Sequence, residues 1–172
     1  MEQIGSETVA EGFAVDLTVQ RFRRADGTEV ERQVVEHPGS VAILAHDEGA
    51  VYLVRQPREA VYEDGLLEIP AGTLDVEGES ELECAQRELS EEAGLRAEHW
   101  QLLQVIYPSP GYVDERVTIF EATGLSPQPG QADPDEQIEV VRLPLGEIDA
   151  ALPDLRDACT LVALLLLRLR SA

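Results

Sequence analysis

The sequence predicts an α+β fold, a mixed sheet covered by helices, and three observations lead there. Strand-like segments come first, a single segment of helical period follows, more strand-like segments come next, and helical segments close the chain. Neither G-x-G-x-x-G nor G-x-x-x-x-G-K-[ST] occurs, which argues against a Rossmann sheet or a phosphate-binding P-loop. With 172 residues, 44% hydrophobic and 27% charged, the chain has enough material for a proper core.

The elements can be justified in order. "FAVDLTVQRF" (Phe13–Phe22) alternates as a half-buried strand, and Ala25–Thr28 is a turn with Asp26-Gly27 at its centre. "EVERQVVEH" is the return strand. A second hairpin lies in "SVAILAHDEGAVYLVRQ", with "DEGA" as its turn, and "LLEIPAG" is a short strand ending at Pro70 and Gly72. The period then changes. "SELECAQRELSEEAGL" puts Leu82, Ala85, Leu89 and Ala93 on one helical stripe. Ser80 and Glu83 have the spacing of a capping box, and Gly94 suits a helix end. "WQLLQVIYP" and "RVTIFEATGL" are strands joined by "SPGYVDE". The loop "SPQPGQADPDEQ" precedes the strand "IEVVRLPL", and "LGEIDAAL" and "RDACTLVALLLLRLR" are closing helices. Residues 1–38 are expected to form an N-terminal β extension, and residues 39–172 the main domain.

Charge and composition exclude several functions. The formal net charge is -21, which argues against nucleic acid or an anionic membrane as partner. An anionic small substrate would need local Arg residues or a metal to overcome that field. All 13 basic residues are Arg, so lysine nucleophiles and Schiff bases are excluded. Cys84 and Cys159 lie far apart, with no CxxC, and are read as buried free thiols in a reducing compartment. The longest apolar run, Leu161–Leu167, is too short to span a bilayer and is read as a buried helix face. No secretory signal precedes the first strand, and the expected location is the cytoplasm. His37, His46 and His99 are scattered without metal spacing, and strand or surface roles are expected for them.

One stretch carries the chemistry. In "RELSEEAGL", Glu88, Glu91 and Glu92 fall at i, i+3 and i+4 on one side of a helix. Like charges at that spacing are destabilising, by roughly 0.2–0.5 kcal/mol per pair. By spacing alone they are either a solvated face or a cage for a hard, oxygen-seeking cation such as Mg²⁺ or Mn²⁺. The wider pattern, with Gly72 and Glu79 upstream, closely resembles the Nudix box, G-x5-E-x7-R-E-U-x-E-E-x-G-U, where U is aliphatic. Glu79, Arg87, Glu88, Leu89, Glu91, Glu92, Gly94 and Leu95 match. One departure is present: six residues, not five, separate Gly72 from Glu79. A bulge in the loop before the helix, leaving the glutamates in place, is expected.

The resemblance implies a Nudix-type α/β/α sandwich that hydrolyses a nucleoside diphosphate linked to another moiety. It implies Glu88 and Glu92 as principal metal ligands, Glu91 as a further one, and the Ala71 carbonyl as a frequent completion of the shell. Arg87 would hold a glutamate in place, Glu79 would be structural or an outer ligand, and more than one Mg²⁺ or Mn²⁺ would bind. Three further stretches are similar to the ADP-ribose pyrophosphatase branch: "RQPREA…LLEIPAG" with Arg55, Arg58 and Glu68; "YPSPGYVDE" with Pro110 and Gly111, Pro110 lying fifteen residues beyond Leu95; and "DPDEQIEV". In that branch this loop supplies the catalytic base or a metal contact, and Glu136 best matches it, with Asp133 and Asp135 as competitors. The branch also implies a homodimer through the N-terminal extension, with Phe22 and Arg23 as candidates to sandwich an adenine. Other nucleotide sugars, flavin dinucleotides, dinucleoside polyphosphates and a non-catalytic sensing role stay open as alternatives.

Overall fold

The computed structural model describes residues 1–128, 130 and 137–171. They divide into two compact units, Met1–Gly39 with Tyr107–Arg116, and Ser40–Ile106 with Val117–Ala172.

In the larger unit, β4 (Ser40–His46) and β5 (Ala50–Arg58) form the expected hairpin. Asp47 closes its turn, accepting the Gly49 and Ala50 N–H groups at 2.7 and 2.9 Å and the Tyr52 hydroxyl at 2.9 Å. These donors, the Gly49 amide first, pull the Asp47 carboxyl down to about 2. The two strands pair at Ala45↔Tyr52 and His46↔Val51 and then diverge. A returning segment fills the wedge: β6 (Glu63–Glu68) pairs with β5, and β7 (Ala71–Thr73) pairs with β4. The single strand expected at "LLEIPAG" is therefore two. The break falls where the segment changes partner, at Ile69–Pro70. Pro70 has no N–H for a ladder, while its carbonyl accepts the Ile43 N–H at 2.7 Å.

β10 (Val117–Thr123) runs parallel to β4 and antiparallel to β9 (His99–Ile106), and β12 (Glu139–Pro144) pairs with β5. The sheet is mixed, as expected, in the order β12-β5-β4-β10-β9; the two-residue strands β8 (Leu95–Arg96) and β11 (Ser126–Pro127) pair with each other. Alternation along β4 sorts the core into two layers, because successive strand residues face opposite sides. Val41, Ile43 and Ala45 pack with Cys84, Ala85, Leu89 and Ala93 of α1 (Glu81–Ala93). Ala42 and Leu44 pack with Ile148 of α2 (Ile148–Ala151) and with Ala163, Leu164 and Leu167 of α3 (Ala158–Ser171). The result is a helix–sheet–helix sandwich. Each fully buried Leu or Ile in it contributes about 1.5–3 kcal/mol. The apolar run on α3 is not buried throughout: Leu165 is exposed. No helix among the described residues is long and apolar enough to cross a membrane.

The smaller unit holds an antiparallel sheet of β1 (Glu2–Ala10), β2 (Asp16–Arg23) and β3 (Glu29–Glu36). The expected hairpin is β2–β3. β1 was not expected, because "EQIGSETVA" has no alternating apolar face and the strand is exposed along most of its length. The segment "SPGYVDE" bridges to this sheet at Val35↔Val113, and the Asp114 carboxylate accepts the His37 N–H at 2.8 Å.

Candidate active site

α1 starts and ends where local chemistry dictates. The Ser80 hydroxyl accepts the Glu83 N–H at 3.3 Å, and the Glu83 carboxylate accepts the Ser80 N–H at 2.9 Å. Gly94 closes the helix in the left-handed region, at φ 65°, with its N–H on the Ser90 carbonyl at 3.1 Å. Ala85, Leu89 and Ala93 are buried as the stripe predicts, but Leu82 is 38% exposed and Cys84 is fully buried instead. Helical period sets the angle of a residue around the axis, not where the sheet beneath it stops. Burial pushes the Cys84 thiol up to about 12, so it is inert.

Arg87 organises the acidic side of this helix. Its Nε and Nη2 each donate to Glu79 at 3.0 Å, a fork-on-fork contact. Its Nη1 donates to Glu88 at 2.7 Å and to Glu91 at 2.9 Å. The contact with Glu79, the largest influence, raises the guanidinium well above its ordinary value, so it stays charged. The six-residue spacer is accommodated by a turn in which Gly78 has φ 82° and the Glu79 N–H bonds to the Val76 carbonyl at 3.2 Å.

Glu88 and Glu92 are anchored on the partner-switching segment of the sheet. The Glu92 carboxylate, 7% exposed as a residue, accepts the Ala71 N–H at 2.9 Å. Glu88 lies across Gly72 so closely that a Cβ there would stand 2.0 Å from the Glu88 carboxyl carbon. A side chain at 72 would push the Glu88 carboxylate out of the place that glycine leaves open to it.

A sequence profile of the NUDIX domain matches residues 35–161. The chain belongs to the Nudix hydrolase family. A 125-residue stretch, 72% of this chain, is 46% identical to a Mycobacterium tuberculosis protein named ADP-ribose pyrophosphatase and spans 60% of that protein. A Bacillus subtilis protein of the same name is 36% identical over 174 aligned residues, 98% of this chain and 93% of its own. A crystal structure described as an ADP compounds hydrolase superposes with a TM-score of 0.81 at 27% identity, covering 97% of this chain and 91% of that one. Nudix hydrolases generally need a divalent cation.

The Nudix box suits such a cation. Four carboxylates, Glu79, Glu88, Glu91 and Glu92, stand against one guanidinium, a formal surplus of three negative charges. All are hard oxygen donors. Among the described residues no three His, Cys, Asp or Glu converge as a ready-made cage.

Outside the Nudix box, two of the predicted residues, Arg58 and Glu68, are brought together. Arg58 donates from Nε and Nη2 to Glu68 at 2.7–3.1 Å, and Gln56 donates to the same carboxylate at 3.2 Å. Arg55 donates instead to the Gly65 carbonyl at 3.1 Å and faces Glu139 at 3.6 Å. Pro110 and Gly111 line a cavity of about 530 Å³ within the smaller unit, together with Phe22, Arg24, Arg32, Tyr107 and Tyr112. Arg23 is held by Glu29 at 2.9 Å and does not line it. Glu136, Asp133 and Asp135 lie outside the described residues. His46 pairs with Glu121 at 3.0 Å, a link between strands.

One contact escaped the sequence reading. Ser90 and Gln128 exchange bonds, Oγ to carbonyl at 3.4 Å and Nε2 to Oγ at 3.3 Å, and a Cβ on Gly130 would meet the Ser90 carbonyl oxygen at 2.2 Å. This pins the start of the acidic loop to the turn of α1 that carries Glu91. The only sequence signal was a Ser at an unspecified position of the Nudix box.

Proposed function

We propose that this protein hydrolyses the diphosphate bond of ADP-ribose, yielding AMP and ribose 5-phosphate. The observation that carries the reading is the carboxylate cluster ordered by Arg87 and seated on Ala71 and Gly72. The names of the two bacterial relatives support the choice of substrate. Glu88 and Glu92 are assigned as principal metal ligands, with Glu91 as a further one and the Ala71 carbonyl completing the shell. More than one Mg²⁺ or Mn²⁺, when bound, would neutralise the diphosphate and lower the pKa of a water.

The chain's own groups do the rest. Arg87 is spent on three carboxylates, so it holds them rather than the substrate. Arg58, steadied by Glu68, and Arg55 are assigned to diphosphate oxygens. Pro110 and Gly111 are assigned to substrate selection, and Glu136 to the catalytic base. Two free cysteines support a reducing, cytoplasmic location. A homodimer is supported by β1, a nine-residue strand at the edge of its sheet and a template for pairing. Light scattering of the full chain should give twice the 18.9 kDa chain mass, and a single-chain mass would end the dimer.

The test of function is product release from ADP-ribose, ADP-glucose, NADH, a flavin dinucleotide and a diadenosine polyphosphate, with Mg²⁺, Mn²⁺ or chelator. ADP-ribose should have the highest kcat/KM, chelator should abolish turnover, and Pro110→Ala should compress the ranking. A different leading substrate would overturn the ADP-ribose assignment. Tight binding without turnover of any compound would replace the enzyme with a sensor.

A further inference from the structure

The partner switch between β6 and β7 leaves a backbone problem at Ile69. Glu68 is the last residue of that segment registered on β5, and Ala71 is the first registered on β4. The Ile69 N–H falls between the two ladders and is buried. An unpaired buried amide is rare and costly. Its partner is the hydroxyl oxygen of Thr160, 2.8 Å away and 91 residues along the chain. Thr160 is fully buried. Its own hydroxyl proton goes to the Asp157 carboxylate at 2.7 Å, which also accepts the Thr160 N–H at 2.7 Å. Asp157 thus caps α3 from the residue before it. A hydroxyl that donates to a carboxylate is a stronger acceptor for the next donor, here the Ile69 amide.

We propose that Thr160, backed by Asp157, is a positioning residue for the metal site. It fixes the backbone two and three residues upstream of Ala71 and Gly72, the two positions on which Glu92 and Glu88 are seated. With Thr160 in place the relay Ile69 N–H, Thr160 hydroxyl, Asp157 carboxylate ties α3 to the glutamates of α1 through the sheet. This rests on the assignment of those glutamates as metal ligands. Nothing in the Nudix box specifies residue 160, which lies 65 positions beyond its end at Leu95.

The test is Mn²⁺ binding to the full chain without substrate, read from the electron paramagnetic resonance signal of the free ion. Thr160→Val keeps the side-chain shape and removes both bonds. It should weaken Mn²⁺ at least fivefold, while Thr160→Ser should stay within twofold of the wild type. Leu164→Ala, a core truncation on the same helix, should lower Tm without changing Mn²⁺ affinity, which separates positioning from general destabilisation. Unchanged Mn²⁺ affinity in Thr160→Val overturns the proposal. If Thr160→Val does not fold, Asp157→Ala, which removes the acceptor of the Thr160 hydroxyl, replaces it: weaker Mn²⁺ binding supports the relay, and wild-type affinity overturns it. Mn²⁺ binding by the wild type that Glu92→Gln leaves intact overturns the metal-site assignment itself, and the positioning role with it.

Discussion

Glu92→Gln should lower kcat/KM for ADP-ribose by at least a hundredfold, the scale on which one oriented electrostatic group acts in catalysis, about 10²–10³. The substitution is nearly isosteric. The amide oxygen of the substituted side chain can accept the same Ala71 N–H that Glu92 accepts at 2.9 Å, so the sheet-to-helix contact survives. What disappears is a negative charge on a residue that is 7% exposed. The melting temperature should therefore change little, while metal-dependent turnover collapses. Steady-state kinetics at saturating Mg²⁺ alongside a thermal melt read the two effects separately. Wild-type kcat/KM in this variant would remove Glu92 from the metal site.

The second large effect is on stability. Arg87→Ala leaves Glu79 and Glu88, whose side chains are 12% and 13% exposed, without their cation, and Glu91 as well. Removing one partner of a largely buried ion pair costs about 3 kcal/mol. In a domain of this size that lowers Tm by about 6–12 °C. The loss should depend on pH. The Arg87 contact, the largest influence, holds the Glu79 carboxyl below its ordinary value of 4.5. A carboxyl whose folded value lies below its unfolded value contributes fully above the unfolded value, and the contribution is lost as pH falls through the folded one. The Tm gap between wild type and Arg87→Ala should thus be widest near neutrality and shrink below about pH 4.5. A gap of constant size from pH 7 to about pH 3 would show that the contact is not ionic in its contribution.

The parts of this protein that were legible are those whose causes are local. The capping box at Ser80, the helix stop at Gly94 and the glutamates at i, i+3 and i+4 all follow from residues within one or two turns of each other. The strands β4, β5, β9 and β10 were legible because each is a short, largely apolar run bounded by turn residues. β1 was not, because a strand exposed along most of its length carries no such pattern. Arg55 and Arg58 are alike in sequence and differ in the structure: Arg58 is forked onto Glu68, and Arg55 is turned to Gly65 and Glu139.

By itself, then, the sequence determined the acidic helix, its caps and the set of carboxylates on it, since each depends on spacing along a single element. Only the tertiary structure decided what those carboxylates rest upon. β4 and β5 part after two pairs, and the segment that fills the gap changes partner at Ile69–Pro70. Its amides at 69 and 71 then find Thr160 and Glu92, 91 and 21 residues away. Backbone groups stranded between two ladders must be satisfied by whatever the fold brings near, and no local window of the chain contains that information.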